Sequence, residues 1–352
     1  MTESASSVKV LGFGSALLDV LARVDEEFIP EFAGGEKGGM VMTDADSLDR
    51  MIRHASGRDT APEPPARAIG GSACNTLFGL AHLGMKTSLL AKVGNDEEGA
   101  YYKASYRSIG GDLSAFKTHP QMRTGRCLSL ITPDSERTMR TDLAAASTLE
   151  PDEITEDDFR GITHLHVEGY MLFNFPVFER VMKLAKTAQC TVSLDLASFE
   201  IVRIFRERLP GILGEYVDLL FANEDEAREF CGMREEDFDP AAAADRLAEY
   251  CPTVCVKLGS AGALIRSAGP VYTEVAAEKA NAVDTTGAGD LWQAGFLYGY
   301  LNGFPHEISG KMASATGAEV VQVIGAALPP ERWEVLRGKF RSLESNSNRK
   351  GS

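Results

Sequence analysis

The stretch Val283-Asp284-Thr285-Thr286-Gly287-Ala288-Gly289-Asp290 places a small-residue turn, the start of a helix and a carboxylate side by side. Apolar residues then recur at helical spacing, namely Leu291, Trp292, Ala294, Phe296, Leu297 and Tyr300. The glycines therefore lie at a helix N-terminus, where unpaired backbone N–H groups and the helix dipole favour an anion such as phosphate. Gly287 and Gly289 allow the backbone to approach that anion without an intervening Cβ.

A carboxylate beside a phosphate site needs an explanation, because the two negative charges repel each other. Asp290 could simply complement the helix dipole in a capping turn. The functional interpretation is phosphoryl transfer, in which the turn holds charge that develops on the transferred group while Asp290 accepts the proton of an attacking hydroxyl. These residues alone leave both interpretations open.

The composition indicates a globular protein with a large core. The chain has 352 residues, of which 44% are hydrophobic and 25% charged, enough for one large α/β domain. Its formal net charge of −15 argues against nucleic acid or an anionic membrane as a main partner, since neither is attracted to a negative surface. The polar start Met1–Ser7 lacks the basic and apolar regions of a signal peptide, which predicts a cytoplasmic location.

The six cysteines are predicted to be reduced, buried thiols. They are scattered through apolar surroundings, without a CxxC pair or the histidine spacing of a zinc site.

Short apolar runs alternate with helical patterns along most of the chain. The apolar runs are Val8–Phe13, Thr87–Val93, Cys127–Ile131, His164–Val167, Thr191–Leu196, Val217–Phe221 and Thr253–Leu258. The helical patterns include Ala73–Leu83, Phe175–Ala188, Glu224–Cys231 and Ala241–Tyr250. This alternation predicts an α/β fold with a parallel, helix-flanked sheet whose ligands bind beyond the carboxyl ends of the strands.

The segment from about Ala22 to Arg67 interrupts the alternation. It contains the glycine-rich run Gly34–Gly39, a probable helix around Leu48, and the proline-rich stretch Ala61–Pro65. An insertion in front of a glycine turn indicates a mobile cover. In a kinase such a cover would exclude water, which is a competing phosphoryl acceptor.

A second glycine turn, Gly70-Gly71-Ser72-Ala73-Cys74-Asn75-Thr76, opens another helical pattern. Ser72 could act as an ordinary N-cap, whereas the Asn75 amide in the first turn could exchange hydrogen bonds with a polyol. Asp19, which follows the first strand, could likewise accept hydroxyl protons.

Two further strand ends carry candidate ligand groups. Asn223 and Glu226 follow a hydrophobic strand, where they could orient waters on Mg²⁺ or cap the next helix. The turn formed by Lys257, Gly259 and Gly262 suits close approach by a nucleotide, and it also suits an ordinary hairpin.

His164, His166 and Glu168 occupy alternate positions of a predicted strand and therefore share one face. A metal site is conceivable there, but local hydrogen bonding of buried polar groups is the simpler interpretation.

Together, three motifs resemble in order and position the ribokinase family, also called the phosphofructokinase-B family. They are Gly70–Asn75, Asn223–Glu226 and Asp284–Asp290, and the resemblance spans about Val8 to Arg341. It implies ATP- and magnesium-dependent transfer of the γ-phosphoryl group to a hydroxymethyl group of a sugar or nucleoside. It also implies a three-layer fold with a central, mostly parallel sheet and a small β-rich lid.

The resemblance assigns roles residue by residue. Asp290 is similar to the catalytic base of the family. The anion hole would be formed by Gly287, Ala288 and Gly289, the magnesium pair by Asn223 and Glu226, and the hydroxyl-binding set by Asp19, Gly71 and Asn75. Asp284 and Thr286 match a loop of the family that holds a monovalent cation, which would be K⁺ here. Its further ligands would lie near Val321–Ala326.

Within the family, the chain looks most like the adenosine-kinase branch. Ser72 stands where ribokinase proper has lysine, and Glu136–Ala146 and Glu168–Leu172 resemble segments of that branch. By this likeness Arg137 approaches the transferred phosphate, and Met139 and Leu143 lie near the acceptor.

The function predicted first is a nucleoside kinase of adenosine-kinase type. Arg140, Thr141 and Asp142 are more polar than a purine pocket requires, so a sugar kinase acting on ribose, fructose or a related sugar is the alternative. A regulator that binds nucleotide or sugar without turnover is a third. The expected organisation is a single domain over residues 1–345, a lid from about 22–67 with part of 117–145, and a disordered tail at 346–352, as a monomer or homodimer.

Overall fold

The computed structural model describes residues 8–34, 37–57, 66–134, 136–267, 269 and 271–350. The strands are β1 Lys9–Phe13, β2 Leu17–Arg23, β3 Met40–Met42, β4 Ala66–Gly70, β5 Lys86–Leu90, β6 Lys92–Gly94, β7 Lys117–His119, β8 Gly125–Ile131, β9 Arg137–Asp142, β10 His164–Glu168, β11 Thr191–Asp195, β12 Leu219–Asn223, β13 Thr253–Lys257, β14 Ala263–Ser267 and β15 Val271–Val275. The α-helices are α1 Ala45–Gly57, α2 Ser72–His82, α3 Glu97–Ser108, α4 Phe175–Thr187, α5 Phe199–Phe205, α6 Leu209–Tyr216, α7 Glu224–Cys231, α8 Pro240–Ala248, α9 Ala288–Leu301, α10 His306–Val320 and α11 Pro330–Lys350.

The larger sheet confirms the predicted α/β fold. Its eight strands run in the order β15-β14-β13-β12-β11-β10-β1-β5. The six strands from β13 to β5 are parallel, and β14 and β15 continue the sheet as an antiparallel hairpin. Because parallel strands end at the same edge, the polar residues that close β10, β11, β12 and β13 meet there.

The histidines predicted to share one face of β10 lie in the buried sheet and are hydrogen-bonded locally. His164 contacts Thr191 and Ser193, both at 2.8 Å, and His166 contacts Ser193 at 2.8 Å. Among the described residues no group of three or more His, Cys, Asp and Glu side chains could hold a metal ion. The simpler interpretation of these histidines is therefore the one that the structure supports.

A second, five-stranded sheet in the order β3-β9-β8-β2-β4 packs at the edge where ligands are expected. It combines strands from the inserted segment with strands from the 117–145 region. The predicted apolar run Cys127–Ile131 lies here rather than in the parallel sheet, which corrects that assignment. The first strand of this sheet along the chain is β2, which starts at Leu17, before the predicted lid boundary at about Ala22. The proline-rich stretch Ala61–Pro65 lies outside the described residues.

Arg140 on β9 ties the inserted segment to this sheet. Its side chain is 1% exposed and donates hydrogen bonds to the carbonyl oxygens of Ala33 at 3.0 Å, Gly39 at 3.3 Å, Met139 at 2.7 Å and Gly34. Within the described residues it has no carboxylate partner. Arg140 therefore faces away from the cavity described below and stabilises the chain that leads into β3.

The C-terminal helix α11 continues to Lys350, so the prediction of a disordered tail is wrong for residues 346–350; Gly351 and Ser352 lie outside the described residues. None of the helices that the described residues form is long and apolar enough to cross a membrane. All six cysteines are free thiols, and five are buried, in accord with the prediction.

Replacing Arg140 should destabilise the smaller sheet. We expect Arg140→Met to lower the free energy of unfolding by about 2 kcal/mol or more, because four backbone carbonyls, three of them in half-buried residues, lose a donor. Arg234→Met is the matched control, since Arg234 is 71% exposed and pairs with Asp237 at the surface. Denaturant unfolding of both variants would measure the difference, and equal stabilities would contradict this role for Arg140.

Candidate active site

A cavity of about 280 Å³ lies where the two sheets face each other. We call it the acceptor cavity. Its wall includes fourteen of the residues proposed above for the site: Asp19, Gly71, Asn75, Arg137, Met139, Leu143, Asn223, Glu226, Lys257, Thr286, Gly287, Ala288, Gly289 and Asp290. Residues far apart in the chain are thus brought to one place at the carboxyl edge of the large sheet.

The glycine turn forms a helix N-terminus, as predicted. Gly287 is the N-cap of α9 and has a φ of +71°, and a Cβ at this position would lie 2.5 Å from the Ala326 Cβ. The Ala288 N–H already donates to the Thr285 carbonyl oxygen at 3.1 Å. The Gly289 N–H has no acceptor among the described residues and is open to an anion.

Asp290, in the first turn of α9, is held by two neutral donors. Its Oδ1 accepts a hydrogen bond from the Ser72 hydroxyl at 2.8 Å, and its Oδ2 accepts one from the Asn75 amide at 2.9 Å. Burial raises the pKa of Asp290, while the hydrogen bond from Asn75 opposes that increase. The interpretation of Ser72 as the N-cap of α2 is wrong. Gly71 is the N-cap, and the Ser72 hydroxyl is directed to Asp290.

Asp19, on β2 of the smaller sheet, also lines the acceptor cavity. Its side chain is buried beside Gly70, where a Cβ would lie only 2.3 Å from the carboxyl atoms. Burial raises the pKa of Asp19 to about 7, against the opposing effect of the Arg137 guanidinium. The Arg137 side chain has no hydrogen bond or ion pair within the described part of the chain, so its charge is free to meet a ligand.

Lys257 and Asp195 form an ion pair at the strand ends, with 3.0 Å between Nζ and Oδ1. The side chains are only 13% and 6% exposed. Burial alone would lower the pKa of Lys257, but the carboxylates of Asp195 and Glu226 outweigh it and raise the pKa. A Cβ at Gly289 would lie 3.4 Å from the Lys257 amine, which places this positive charge next to the anion site.

Asn223 and Glu226 form a reciprocal capping box at the start of α7. The Asn223 Oδ1 accepts from the Glu226 N–H at 2.8 Å, and the Glu226 Oε2 accepts from the Asn223 N–H at 2.7 Å. Burial and the neighbouring Asp195 carboxylate raise the pKa of Glu226 to about 8. The capping interpretation is therefore realised, and Glu226 still lies in the cavity wall.

Sequence reasoning missed Asp195 as a site residue and assigned no contact to Glu168. Glu168 ends β10 and accepts hydrogen bonds from the backbone N–H groups of Ser15 at 2.8 Å and Ala73 at 2.9 Å. Burial raises its pKa to about 7. A carboxylate that ends an apolar strand was the available signal for both residues.

A larger cavity of about 850 Å³ adjoins the first. We name it the nucleotide cavity, after the turn that was predicted to suit close approach by a nucleotide. It contains the predicted turn residues Gly259 and Gly262, and Trp292 forms part of its wall. The two cavities share Lys257, Thr285, Ala288 and Gly289. The start of α9 therefore separates two ligand-sized spaces.

Asp284, within the predicted cation loop, accepts three hydrogen bonds. Its Oδ1 accepts from the Thr286 N–H and hydroxyl at 2.9 and 2.7 Å, and its Oδ2 accepts from the Gly325 N–H at 2.7 Å. These bonds account for the buried carboxylate without a cation.

The wall of the acceptor cavity also contains residues that the sequence did not single out. They are Met40, Met42, Cys127, Ser129 and Phe173, among others. Their contribution depends on strand pairing, since β3 pairs with β9 and β8 pairs with β9, and no local pattern announces it.

Comparison with known proteins identifies the chain as a member of the pfkB family of carbohydrate kinases, matched over residues 39–333. Adenosine kinase of Saccharomyces cerevisiae is 28% identical, covering 91% of this chain and 96% of that protein. An ATP-dependent ribose-1-phosphate kinase of Halopiger xanaduensis is 28% identical, covering 92% of this chain and 95% of that protein. The crystal structure of adenosine kinase from Sinorhizobium meliloti superimposes with a TM-score of 0.85 at 28% identity, covering 95% of this chain and 99% of that one.

The protein is therefore a kinase that phosphorylates a hydroxyl group, and its relatives act as kinases on sugars and nucleosides. The ribokinase-like fold inferred from the motifs is confirmed.

The raised pKa of Asp19 predicts a stability difference that depends on pH. The folded protein holds the Asp19 proton more tightly than the unfolded chain does. Asp19 therefore contributes most to the free energy of unfolding below about pH 4, and that contribution is lost as the pH rises through about 7. At about pH 8 we expect Asp19→Asn to be more stable than the parent protein, and at about pH 4 the advantage should vanish.

Asp96→Asn serves as a control of opposite sign. Burial alone would raise the pKa of Asp96, but hydrogen bonds from Thr124 and Gly99 outweigh it and lower the pKa. Replacing the Asp96 carboxylate should therefore lower the free energy of unfolding most at neutral pH. Thermal unfolding across this pH range measures both variants. A stability difference for Asp19→Asn that does not change with pH would refute the assignment.

Proposed function

We propose that the protein transfers the γ-phosphoryl group of ATP to a primary hydroxyl of a nucleoside, as an adenosine kinase does. The observation that carries this proposal is the position of Asp290. Its carboxylate lies in the wall of the acceptor cavity, at the helix start that the nucleotide cavity shares, held by Ser72 and Asn75.

The reaction follows from that position. A hydroxyl bound in the acceptor cavity attacks the γ-phosphorus and gives its proton to Asp290. The bond between the γ-phosphorus and the bridging oxygen breaks, and ADP leaves with the electron pair. Burial makes Asp290 a stronger base than an exposed aspartate, while the bonds from Ser72 and Asn75 keep its carboxylate available.

Positive charge on both sides of the helix start would stabilise the transferred group. Lys257 lies between the two cavities and is kept protonated by Asp195 and Glu226. Arg137 reaches the acceptor cavity from β9. The open Gly289 N–H adds a donor at the same point.

The residues present fit a magnesium ion. Asp195 and Glu226 are two buried carboxylates beside a single lysine, and one oxygen of Glu226 has no hydrogen bond within the described residues. Glu226, with Asn223, would hold the ion through water. When bound, Mg²⁺ would supply charge neutralisation for the phosphate oxygens. Asp284, whose two oxygens already accept three hydrogen bonds, gives potassium less support.

The cavity wall favours a nucleoside over a free sugar. Its apolar side chains suit the face of a planar base: Leu17, Met40, Met139, Leu143 and Phe173. The relatives named adenosine kinase agree with this choice. A sugar is the second candidate, since Ser129, Thr141 and Asp19 add polar groups to the same wall and one relative is named a ribose-1-phosphate kinase.

Turnover of ATP with magnesium against adenosine, other nucleosides, ribose, fructose and sugar acids tests the proposal. We expect the highest rate with adenosine, and a loss of about 10²-fold or more in Asp290→Asn because the base is removed. Asp239→Asn is the matched control, since Asp239 caps α8 at the surface. Turnover of a sugar alone would discard the nucleoside, and an Asp290→Asn rate within a few-fold of the parent would discard the base.

Arg137→Ala should lower kcat by about tenfold or more while changing the acceptor KM less, because its charge acts on the transferred group. Arg126→Ala is the comparison, since Arg126 belongs to the same sheet but pairs with Asp49 outside the cavity wall. Steady-state kinetics with both substrates varied separates the two constants. Unchanged kinetics would remove Arg137 from the site.

A further inference from the structure

A third cavity, of about 180 Å³, lies behind the active site between α2, α3, α9 and the start of α11. We call it the rear cavity. Much of its wall is apolar, with Phe78, Ile109, Leu291 and Leu328. Neither the phosphoryl transfer proposed above nor the nucleotide cavity uses this space.

Trp333, in the wall of the rear cavity, has an unused hydrogen-bond donor. The residue is 2% exposed, and its indole Nε1 has no acceptor within the described part of the chain. A buried donor without a partner destabilises the folded protein. An acceptor brought by a ligand would remove that cost.

The wall is aromatic and uncharged. The imidazole of His82 stacks on the Trp333 indole with 4.6 Å between ring centroids and 9° between planes. Burial, and to a lesser degree the Arg337 charge, lower the pKa of His82 to about 4, so the imidazole is neutral at physiological pH. The residues that the structure describes bring no Asp, Glu, Lys or Arg side chain to this wall. A ligand of this cavity should therefore be uncharged.

The rear cavity is connected to Asp290 through two residues. Asn75 lies in the walls of both the rear and the acceptor cavity, and its amide donates to the Asp290 Oδ2 at 2.9 Å. Leu291 follows Asp290 in α9 and also lines the rear cavity. A molecule seated there would press on the residue that orients the carboxylate.

We propose that the rear cavity binds a small, uncharged, planar heteroaromatic molecule whose ring nitrogen accepts a hydrogen bond from Trp333, and that its binding slows phosphoryl transfer by displacing Asn75. The size agrees, since a dry apolar cavity of about 150 Å³ is known to take benzene. The effect on rate rests on the function proposed for Asp290, whereas the binding itself does not.

Pyridine and benzene form a matched pair of probes, because they share a shape and only pyridine carries an acceptor. The chain has two tryptophans, so protein labelled with ¹⁵N-tryptophan shows Trp333 beside Trp292 as an internal reference. At about pH 8, where pyridine is uncharged, we expect a saturable downfield shift of the Trp333 indole N–H with pyridine and no such downfield shift with benzene.

Ser105 offers variants that change the rear cavity without touching the active site. It lines the rear cavity from α3 and is absent from the acceptor cavity. Ser105→Leu should fill the space and abolish the pyridine shift, while Ser105→Ala should preserve it. No saturable shift in the parent protein, or a shift that persists in Ser105→Leu, would overturn the binding site.

The same variants test the coupling to catalysis. At saturating ATP and acceptor, pyridine should lower kcat by about twofold or more in the parent protein and in Ser105→Ala, and should leave Ser105→Leu unaffected. A Trp333 shift without a change in kcat would overturn the coupling. Should Asp290→Asn prove harmless, the function of Asp290 fails separately, and the resonance shift still decides the binding.

Discussion

The close packing of α2 on α9 is the constraint on which the active site depends. Ser72 and Asn75 on α2 reach Asp290 on α9 only because the two helices approach very closely. Gly79 permits that approach, since a Cβ there would lie 2.7 Å from the Ala294 Cβ. The Thr76 hydroxyl adds a bond to the Asp290 carbonyl oxygen at 3.1 Å. A buried carboxylate is thus oriented by neutral donors alone, which fixes its direction without cancelling its charge.

The electrostatics of the site follow from burial in a chain whose net charge is −15. Burial raises the pKa of Asp19, Glu168 and Glu226 alike, which means that ionising them in the empty protein is unfavourable. Lys257 and Arg137 are the basic side chains of the acceptor cavity. Cations and hydroxyl groups that enter the site would therefore find acceptors whose charge the protein neutralises only in part, and their binding would offset part of that cost.

The parts of the fold and of the candidate site that could be predicted are those that local sequence patterns determine. Apolar strands that alternate with helices predicted the parallel sheet, and the glycines at positions 71 and 287 marked helix starts because both have a positive φ. The run Cys127–Ile131 was assigned to the wrong sheet, since an apolar strand carries no record of its pairing partner. Asp195 was missed for a related reason: its place at the end of an apolar strand was visible, but its partner Lys257 lies 62 residues further along the chain. Contacts of that range are decided by topology.

Two interpretations of Asn223 and Glu226 seemed to compete, a helix cap and a magnesium site, yet the structure makes them compatible. The capping box engages Asn223 Oδ1 and Glu226 Oε2 with backbone N–H groups, and thereby fixes both side chains in one orientation. The Glu226 Oε1 then has no hydrogen bond within the described residues and lies in a group that lines the acceptor cavity. A carboxylate held rigidly by one oxygen presents the other to a ligand at little further loss of side-chain entropy. The cap is therefore a means of positioning the carboxylate, and a helix start at the carboxyl edge of the sheet is where both requirements coincide.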